Sequence, residues 1–133
     1  MKTTILLDTD IISLYISKHK EIQSEIQDKI KSKFRFIASE LNYIELFSHL
    51  CKKKGKINAQ IIMENLRREN VINFLSVDEK ISLLVGELKC KYSMLSMVDS
   101  VIISEALIKN IPLYTTETRF NEIDNLKVKK IYF

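Results

Sequence analysis

The 133-residue sequence has few of the residues that mark loop-rich or disulfide-bonded proteins. It contains one proline and two glycines, so we expect regular helices and strands with few elaborate loops. Its two cysteines, Cys51 and Cys90, are too few for a disulfide framework and lack the spacing of a zinc site. We therefore interpret both as buried or incidental thiols of a reducing compartment.

Long apolar runs are also missing. No segment approaches the roughly 20 apolar residues that a membrane-spanning helix needs, and acids follow the first short apolar run where a signal peptide would continue. We therefore expect a cytosolic protein without membrane contact. The formal charge of +4 suits an anionic partner but does not identify one. With 46% hydrophobic and 29% charged residues, the chain should form a single globular domain over residues 1–133.

Short apolar runs alternate with helical patterns along the whole chain. We predict strands at residues 3–7, 34–37, 71–75, 111–115 and 128–133. We predict helices at residues 10–17, 20–32, 40–54, 58–69, 77–92 and 97–109, with a short helical turn at Phe120. Ser39 should cap the third helix, Gly55 should end it, and capping boxes at 76–79 and 96–99 should begin the last two.

Strands separated by helices indicate an α/β fold with a parallel sheet, because parallel neighbours cannot be joined by tight hairpins. In open sheets of this kind, the functional site lies beyond the carboxyl ends of the strands. Acids occur at these positions: Asp8 and Asp10 follow the first strand, and Glu117 follows the fourth. Asp99 lies in the first turn of a helix. Grouped carboxylates repel one another unless a cation joins them, and Mg²⁺ prefers such oxygen ligands.

Four segments together resemble the successive acidic motifs of PIN domains. They are residues 6–13 (LLDTDIIS), 39–45 (SELNYIE), 99–106 (DSVIISEA) and 112–120 (PLYTTETRF). Their order and spacing cover nearly the whole chain, and the chain length is similar to that of the toxins of VapBC toxin–antitoxin pairs. The resemblance implies a PIN-like, Rossmann-like three-layer α/β/α sandwich with a mostly parallel sheet of about five strands.

The resemblance also implies roles for individual residues. It makes four acids catalytic and metal-binding: Asp8, Glu45, Asp99 and Glu117. Three further residues match supporting positions of the family: Asp10, Ser13 and Thr115. The chain departs from the family pattern twice, because the fourth acid is more often Asp than Glu and because Arg119 replaces a common acid. These departures put the geometry of the fourth position in doubt.

The implied function is that of a Mg²⁺- or Mn²⁺-dependent endoribonuclease acting on structured RNA, with the metal activating a water molecule. The family further implies a homodimer and, for a toxin, an antitoxin protein that blocks the site. Alternatives are a housekeeping RNA-processing nuclease and a catalytically degenerate PIN module. The opening Leu7-Asp8-Thr9-Asp10 also resembles haloacid-dehalogenase-like phosphatases and receiver-like domains, although the later acids and lysine that those classes need are not evident.

Each acid also has a structural explanation. Asp8 and Asp10 could cap the first helix, Glu117 could begin a later one, and Asp99 is the fourth residue of a capping box. Glu45 lies opposite the expected apolar face of its helix, with Asn42 and His49, and so could be a solvated side chain. That expected apolar face contains Tyr43, Ile44, Phe47, Leu50 and Cys51.

Two surface features of the neighbouring helices have similar alternatives. Lysines 52–54, with Lys56, Arg67 and Arg68 nearby, could contact phosphates but could equally form a solvated face. The apolar stripe Ile57, Ile61, Ile62 and Leu66 is first of all expected to belong to the core, although an exposed part of it could contact a partner.

Overall fold

The computed structural model of the protein describes residues 3–130. Its strands are β1 (Thr4–Leu7), β2 (Arg35–Ser39), β3 (Ile72–Leu75), β4 (Leu113–Thr115) and β5 (Val128–Lys130). Its helices are α1 (Thr9–Ile16), α2 (Lys20–Lys31), α3 (Glu40–Lys54), α4 (Lys56–Glu69), α5 (Glu79–Lys91) and α6 (Met97–Lys109), with a short 3-10 helix at Arg119–Glu122. The order of elements agrees with the prediction. The predicted end of the last strand, residues 131–133, lies outside the described residues.

The five strands form one sheet in the order β3-β2-β1-β4-β5, and every neighbouring pair is parallel. The predicted parallel α/β sheet is therefore confirmed. Strand β1 lies in the centre, where Ile5 pairs with Phe36 of β2 and Leu6 pairs with Leu113 of β4. The strand order reverses at β1, so the carboxyl ends of β1 and β4 flank the crevice in which open α/β sheets bind ligands.

The sheet is covered on both faces, as its apolar strands indicate. Alternate side chains of β1 point to opposite faces. Ile5 and Leu7 pack with residues of α1 to α4, whereas Leu6 packs with residues of α5 and α6. Helices thus form a layer on each side of the sheet, which confirms the predicted three-layer α/β/α sandwich.

The caps of α3 and α6 follow the prediction. The Ser39 hydroxyl accepts a hydrogen bond from the Leu41 amide at 3.0 Å, and the Asn42 side chain accepts one from the Ser39 amide at 2.9 Å. Gly55 ends α3 with a φ of +86°, a conformation that favours glycine. Ser96 caps α6 by accepting from the backbone amide of Asp99.

The capping box predicted at residues 76–79 is wrong. Helix α5 begins two residues later than that box implies, and its N-cap is Asp78. The Asp78 carboxylate accepts a hydrogen bond from the Ile81 amide at 2.8 Å. A charged acceptor binds a helix amide more strongly than a serine hydroxyl does, which favours capping by Asp78 over capping by Ser76.

The predicted apolar face of α3 is also partly wrong. The structure buries Asn42 and Leu46, whereas Ile44 is 59% exposed. Asn42 can be buried because its amide group has partners on both sides: it bonds the Ser39 amide and donates to the Thr9 hydroxyl at 2.8 Å. Tyr43, Phe47 and Leu50 of the expected face still pack against the core, whereas Ile44 does not, so the buried face is shifted toward Leu46.

Helix α4 differs from the expectation in the same way. Its core residues are Ala59, Met63 and Leu66, whereas Ile57 and Ile61 are 72% and 51% exposed. Only Leu66 of the predicted stripe is fully buried. Both sets of residues have helical spacing, so the pattern alone did not distinguish them. The small side chain of Ala59 lets α4 approach its neighbours closely, which favours the observed rotation.

The two cysteines are free thiols. Cys51 is partly buried on α3, and Cys90 is exposed on α5. Neither is part of the buried core, so of the two interpretations offered above, incidental thiols fit better than buried ones.

Candidate active site

Asp8 stands at the carboxyl end of β1 and is also the N-cap of α1. Its side chain is 7% exposed, and one carboxylate oxygen accepts a hydrogen bond from the Thr9 amide at 2.7 Å. The other oxygen accepts one from the Thr115 hydroxyl of β4 at 2.6 Å. The helix cap and the strand-end hydroxyl together hold this carboxylate in one orientation.

Asp10 is held by Thr116, the residue that directly follows β4. Its Oδ1 accepts from the Ile11 amide at 2.8 Å, and its Oδ2 accepts from both the amide and the hydroxyl of Thr116. Two successive threonines, the last residue of β4 and the one after it, therefore fix two acids that follow β1. The role of Thr116 was missed in the sequence, although the repeated threonine beside the acidic motif was a usable signal.

Asp99 lies in the first turn of α6 and is partly buried. Ser96 caps the helix through the backbone amide of Asp99, so capping does not require the Asp99 carboxylate. Its negative charge is close enough to Asp8 to contribute to the raised pKa of that residue. Asp99 therefore approaches β1 from the opposite layer of the sandwich.

Glu45 is exposed on α3, as its position opposite the expected apolar residues indicated. It nevertheless lines the same cavity as the strand-end acids, next to Leu46 and His49. A solvated position and a place in the site are thus compatible. His49, one turn further along α3, extends the same wall of the cavity.

Glu117 is partly buried and forms a two-pronged ion pair with Arg119. The guanidinium donates to both carboxylate oxygens, from Nε and from Nη2, each at 3.0 Å. These hydrogen bonds hold the pKa of Glu117 below its ordinary value. The two residues in which this sequence departs from the family pattern are therefore bonded to each other.

All these acids line one cavity of about 400 Å³ at the carboxyl edge of the sheet. Ser13 and His49 line it together with every acid named in the prediction, namely Asp8, Asp10, Glu45, Asp99 and Glu117. Thr115 is fully buried, where it holds Asp8. The fold thus brings together residues from β1, α1, α3, α6 and the end of β4.

The electrostatics of the cavity centre on Asp8. The pKa of Asp8 is raised to about 7, mainly by burial and then by the charges of Asp10 and Asp99, against the hydrogen bonds from Thr115 and Thr9. The carboxylate is therefore held in a place where its negative charge is costly. A bound cation would remove that cost, since it would offset both the lost hydration and the repulsion between acids.

The donor atoms suit a hard divalent cation such as Mg²⁺ or Mn²⁺, because carboxylate oxygens dominate the cavity. Within residues 3–130, no three His, Cys, Asp or Glu side chains are grouped closely enough to hold a metal ion. Both oxygens of Glu117 are bonded to Arg119. Mg²⁺ commonly uses one or two carboxylates and keeps several waters, so the open arrangement of acids still fits it.

A family model for the PIN domain matches residues 5–126. The chain belongs to the PIN domain family. This match covers every acid of the cavity and agrees with the order of the motifs in the sequence. It also removes the basis for a haloacid-dehalogenase-like or receiver-like interpretation of the opening Asp8-Thr9-Asp10. No curated protein sequence matches this PIN domain significantly.

Solved structures share the fold at low sequence identity. VapBC2 from Rickettsia felis bound to a promoter DNA fragment matches with a TM-score of 0.81 and 21% identity, over 96% of this chain and 98% of that one. VapBC-1 from nontypeable Haemophilus influenzae matches with a TM-score of 0.76 and 24% identity, over 96% of this chain and 98% of that one. VapC20 from Mycobacterium tuberculosis is described as a toxin that cleaves the sarcin-ricin loop. It matches with a TM-score of 0.64 and 16% identity, over 82% of this chain and 86% of that one.

Among the residues described, none of the helices combines the length and the apolar character that crossing a bilayer requires.

Proposed function

We propose that this PIN domain is a metal-dependent endoribonuclease and that it acts as the toxin of a VapBC-type toxin–antitoxin pair. The observation that carries the proposal is the single cavity in which Asp8, Asp10, Glu45, Asp99 and Glu117 meet at the switch point of the sheet. Five acids from four separate segments of the chain have no evident structural reason to converge there. A site for divalent cations gives them one.

In this proposal Asp8 and Asp99 hold Mg²⁺ or Mn²⁺, with Glu45 and Glu117 as further ligands. The metal, when bound, would activate a water and stabilise charge on the reacting phosphate. The protein supplies position: Thr115 and the Thr9 amide orient the Asp8 carboxylate, and Thr116 orients Asp10. Ser13 lines the cavity as a small polar residue that leaves room for substrate.

RNA is the proposed substrate, and the charge around the acids supports it. Lys52 borders a shallow groove that also contains Glu45 and His49. Lys53 and Lys54 line a larger cavity of about 800 Å³, which reaches Ser13 and His49 from the side of α4. These exposed lysines line cavities that adjoin the acidic one, where they can neutralise phosphates of a bound RNA.

Arg67 is not part of this basic surface. Its guanidinium forms a two-pronged bond with Glu40, at 2.8 and 2.9 Å, and stacks on the Tyr43 ring with 3.8 Å between guanidinium carbon and ring centroid. The arginine therefore joins α4 to α3. Of the basic residues that the sequence offered for phosphate binding, the lysines of α3 are better placed than Arg67.

The proposed partners follow from the solved structures with this fold. Those from Rickettsia felis and Haemophilus influenzae are VapBC assemblies, and the former is bound to promoter DNA. We propose that this chain likewise pairs with an antitoxin protein, forms a homodimer and works in the cytoplasm. A neighbouring reading frame for a small antitoxin would separate a toxin from a housekeeping RNA-processing nuclease.

Asp99→Asn provides the most direct test. The substitution preserves side-chain size, and Ser96 still caps the helix through the residue-99 amide. Loss of a metal ligand should lower the rate of RNA cleavage in Mn²⁺ by at least about 100-fold, since disturbing even the residues behind a ligand costs about 10- to 100-fold. Asp124→Asn is the matched control, because Asp124 is exposed and pairs with Lys91. A folded Asp99→Asn variant that cleaves at the original rate would end the proposal.

The Arg119–Glu117 pair supports one competing function, a degenerate PIN module that has lost metal binding. Added Mn²⁺ distinguishes the two, because a ligand that binds only the native state raises the melting temperature. At one hundred times the dissociation constant, stabilisation should be about 2.7 kcal/mol. A melting temperature unchanged by Mn²⁺ would favour the degenerate module.

A further inference from the structure

Arg119 forms hydrogen bonds with both carboxylate oxygens of Glu117, the fourth acid of the predicted metal site. Its Nε and Nη2 donate to Oε1 and Oε2 of Glu117, and its backbone amide donates to Oε1 as well, each at 3.0 Å. The side chains remain 50% and 29% exposed. The carboxylate is thus bonded to a cation that belongs to the same chain.

The pair is held in place by the local backbone. Only one residue separates the partners, and the Arg119 amide that bonds Glu117 opens the 3-10 helix Arg119–Glu122. On the other side, the Glu117 amide donates to the Thr115 hydroxyl at 3.0 Å, and that hydroxyl donates to Asp8. Arg119 is therefore connected to the buried acid through Glu117, whose carboxylate bonds the guanidinium and whose amide bonds Thr115.

A guanidinium and a divalent cation require the same atoms of Glu117. A metal ion bound by this carboxylate needs at least one oxygen, and each oxygen already accepts a bond from the guanidinium. The charge of Asp99 also acts on Arg119, so the guanidinium lies within the field of a second acid of the cavity. The positive charge opposes the approach of a divalent cation to either acid.

We infer that Arg119 competes with the metal ion for Glu117, and that it thereby lowers the affinity of the cavity for divalent cations. This inference rests on the proposed metal-dependent function. A metal that uses Glu117 must first displace the guanidinium. The ion pair is exposed, so its effect on affinity is modest and falls as ionic strength rises.

Titration calorimetry with Mn²⁺ tests the inference without measuring catalysis. Arg119→Gln should bind Mn²⁺ about two- to fivefold more tightly than the wild type at low ionic strength. Arg119→Lys keeps the charge but lacks the planar fork, so its gain should be smaller than that of Arg119→Gln. Because Arg119 is half exposed, these variants should retain the wild-type fold, which circular dichroism can verify.

A double-mutant cycle separates competition at Glu117 from a general effect of charge. In the Glu117→Gln background, Arg119→Gln should tighten Mn²⁺ binding less than it does in the wild type, because the contested carboxylate is absent and only the effect of the charge near Asp99 remains. Equal tightening in both backgrounds would overturn the inference in favour of long-range electrostatics. Lys91→Gln, which removes a charge paired with Asp124, should leave Mn²⁺ affinity unchanged.

The remaining outcomes distinguish this inference from the proposed function. If the wild type binds Mn²⁺ through Asp99 and Arg119→Gln binds it equally or more weakly, the inference is wrong and the proposed function stands. If neither protein binds Mn²⁺, both are wrong. Binding by Arg119→Gln alone would support the inference in its strongest form.

Discussion

Asp8 and Glu105 are both buried carboxyl groups, 7% and 2% exposed, but they lie in different surroundings. Asp8 ends the central strand, accepts bonds from a hydroxyl and an amide, and faces other acids. Glu105 lies in α6 on the same helix face as Val101 and Ile108, within an apolar cluster between α5 and α6. Its Oε2 has no hydrogen-bond partner among residues 3–130.

The charges around the two acids also differ. Burial raises the pKa of both, but Asp10 and Asp99 raise that of Asp8 further, whereas Lys109 partly opposes the rise at Glu105. The Lys109 ammonium lies 3.8 Å from Oε2 of Glu105. The charged neighbours that act on Asp8 are therefore acids, whereas Glu105 has the Lys109 ammonium as well as the Asp78 carboxylate nearby. Burial alone does not mark a functional carboxyl group, and the comparison shows that its charged neighbours are more informative.

The largest expected difference between these two acids is in RNA cleavage. Asp8→Asn should lower the cleavage rate in Mn²⁺ by at least about 100-fold, because it removes a proposed metal ligand while keeping the helix cap. Glu105→Gln should change the rate by less than about twofold, since Glu105 does not line the cavity. Single-turnover cleavage assays on folded variants measure both. Comparable losses in the two variants would remove the distinction.

The second difference concerns how stability depends on pH. An acid whose pKa is raised in the native state binds its proton more tightly there than in the unfolded chain, so stability is lost as pH rises. For Asp8 the loss should run from about pH 4 to about pH 7, with a slope of up to about 1.4 kcal/mol per pH unit. Asp8→Asn should remove this slope, as followed by urea unfolding.

Added Mn²⁺ sharpens that test. A cation at the cavity favours the ionised form of Asp8, so Mn²⁺ should flatten the pH slope of the wild type and of Glu105→Gln. The pH dependence that Glu105 contributes has the same sign, since burial raises its pKa as well. That contribution should not respond to Mn²⁺. A slope in Asp8→Asn that still responds to the metal would contradict the assignment.

The smallest expected difference is in the unfolding free energy lost when the partner of each acid is removed. Thr115→Val removes the hydroxyl that donates to Asp8 at 2.6 Å, and should cost about 1.5 to 3 kcal/mol of unfolding free energy above pH 7. Lys109→Gln removes a partly exposed ammonium at 3.8 Å, and should cost less than about 1 kcal/mol. Chemical denaturation at pH 8 compares the two. A larger cost for Lys109→Gln would mean that Glu105, not Asp8, depends more on its partner.

Much of the fold and of the candidate site was predictable from local patterns. Short apolar runs marked the strands, and Ser39, Gly55 and Ser96 marked helix ends that the structure confirms. The strand-end positions of Asp8, Asp10 and Glu117 predicted that these acids would meet, and the resemblance to PIN domains added Glu45 and Asp99. These signals depend on residues close in sequence or on the rule that parallel strands end at the same edge.

The errors arose where distant contacts chose between two similar local patterns. Ile57 and Ile61 have the spacing of a buried stripe, yet α4 buries Ala59 and Met63. Asn42 looked like a surface residue, yet its bond to Thr9 of another helix accounts for its burial. In each case the competing partner lies elsewhere in the chain, so a single helix pattern could not identify it.

The sequence by itself determined the alternation of strands and helices, the parallel sheet and the acids at its carboxyl edge, because these follow from side-chain periodicity and chain direction. Only the tertiary structure decided that Thr115 and Thr116 donate hydrogen bonds to Asp8 and Asp10, and that Arg119 donates to Glu117. Hydrogen bonds between side chains depend on orientations within a few tenths of an ångström. Packing of whole elements sets those orientations, and residue order does not.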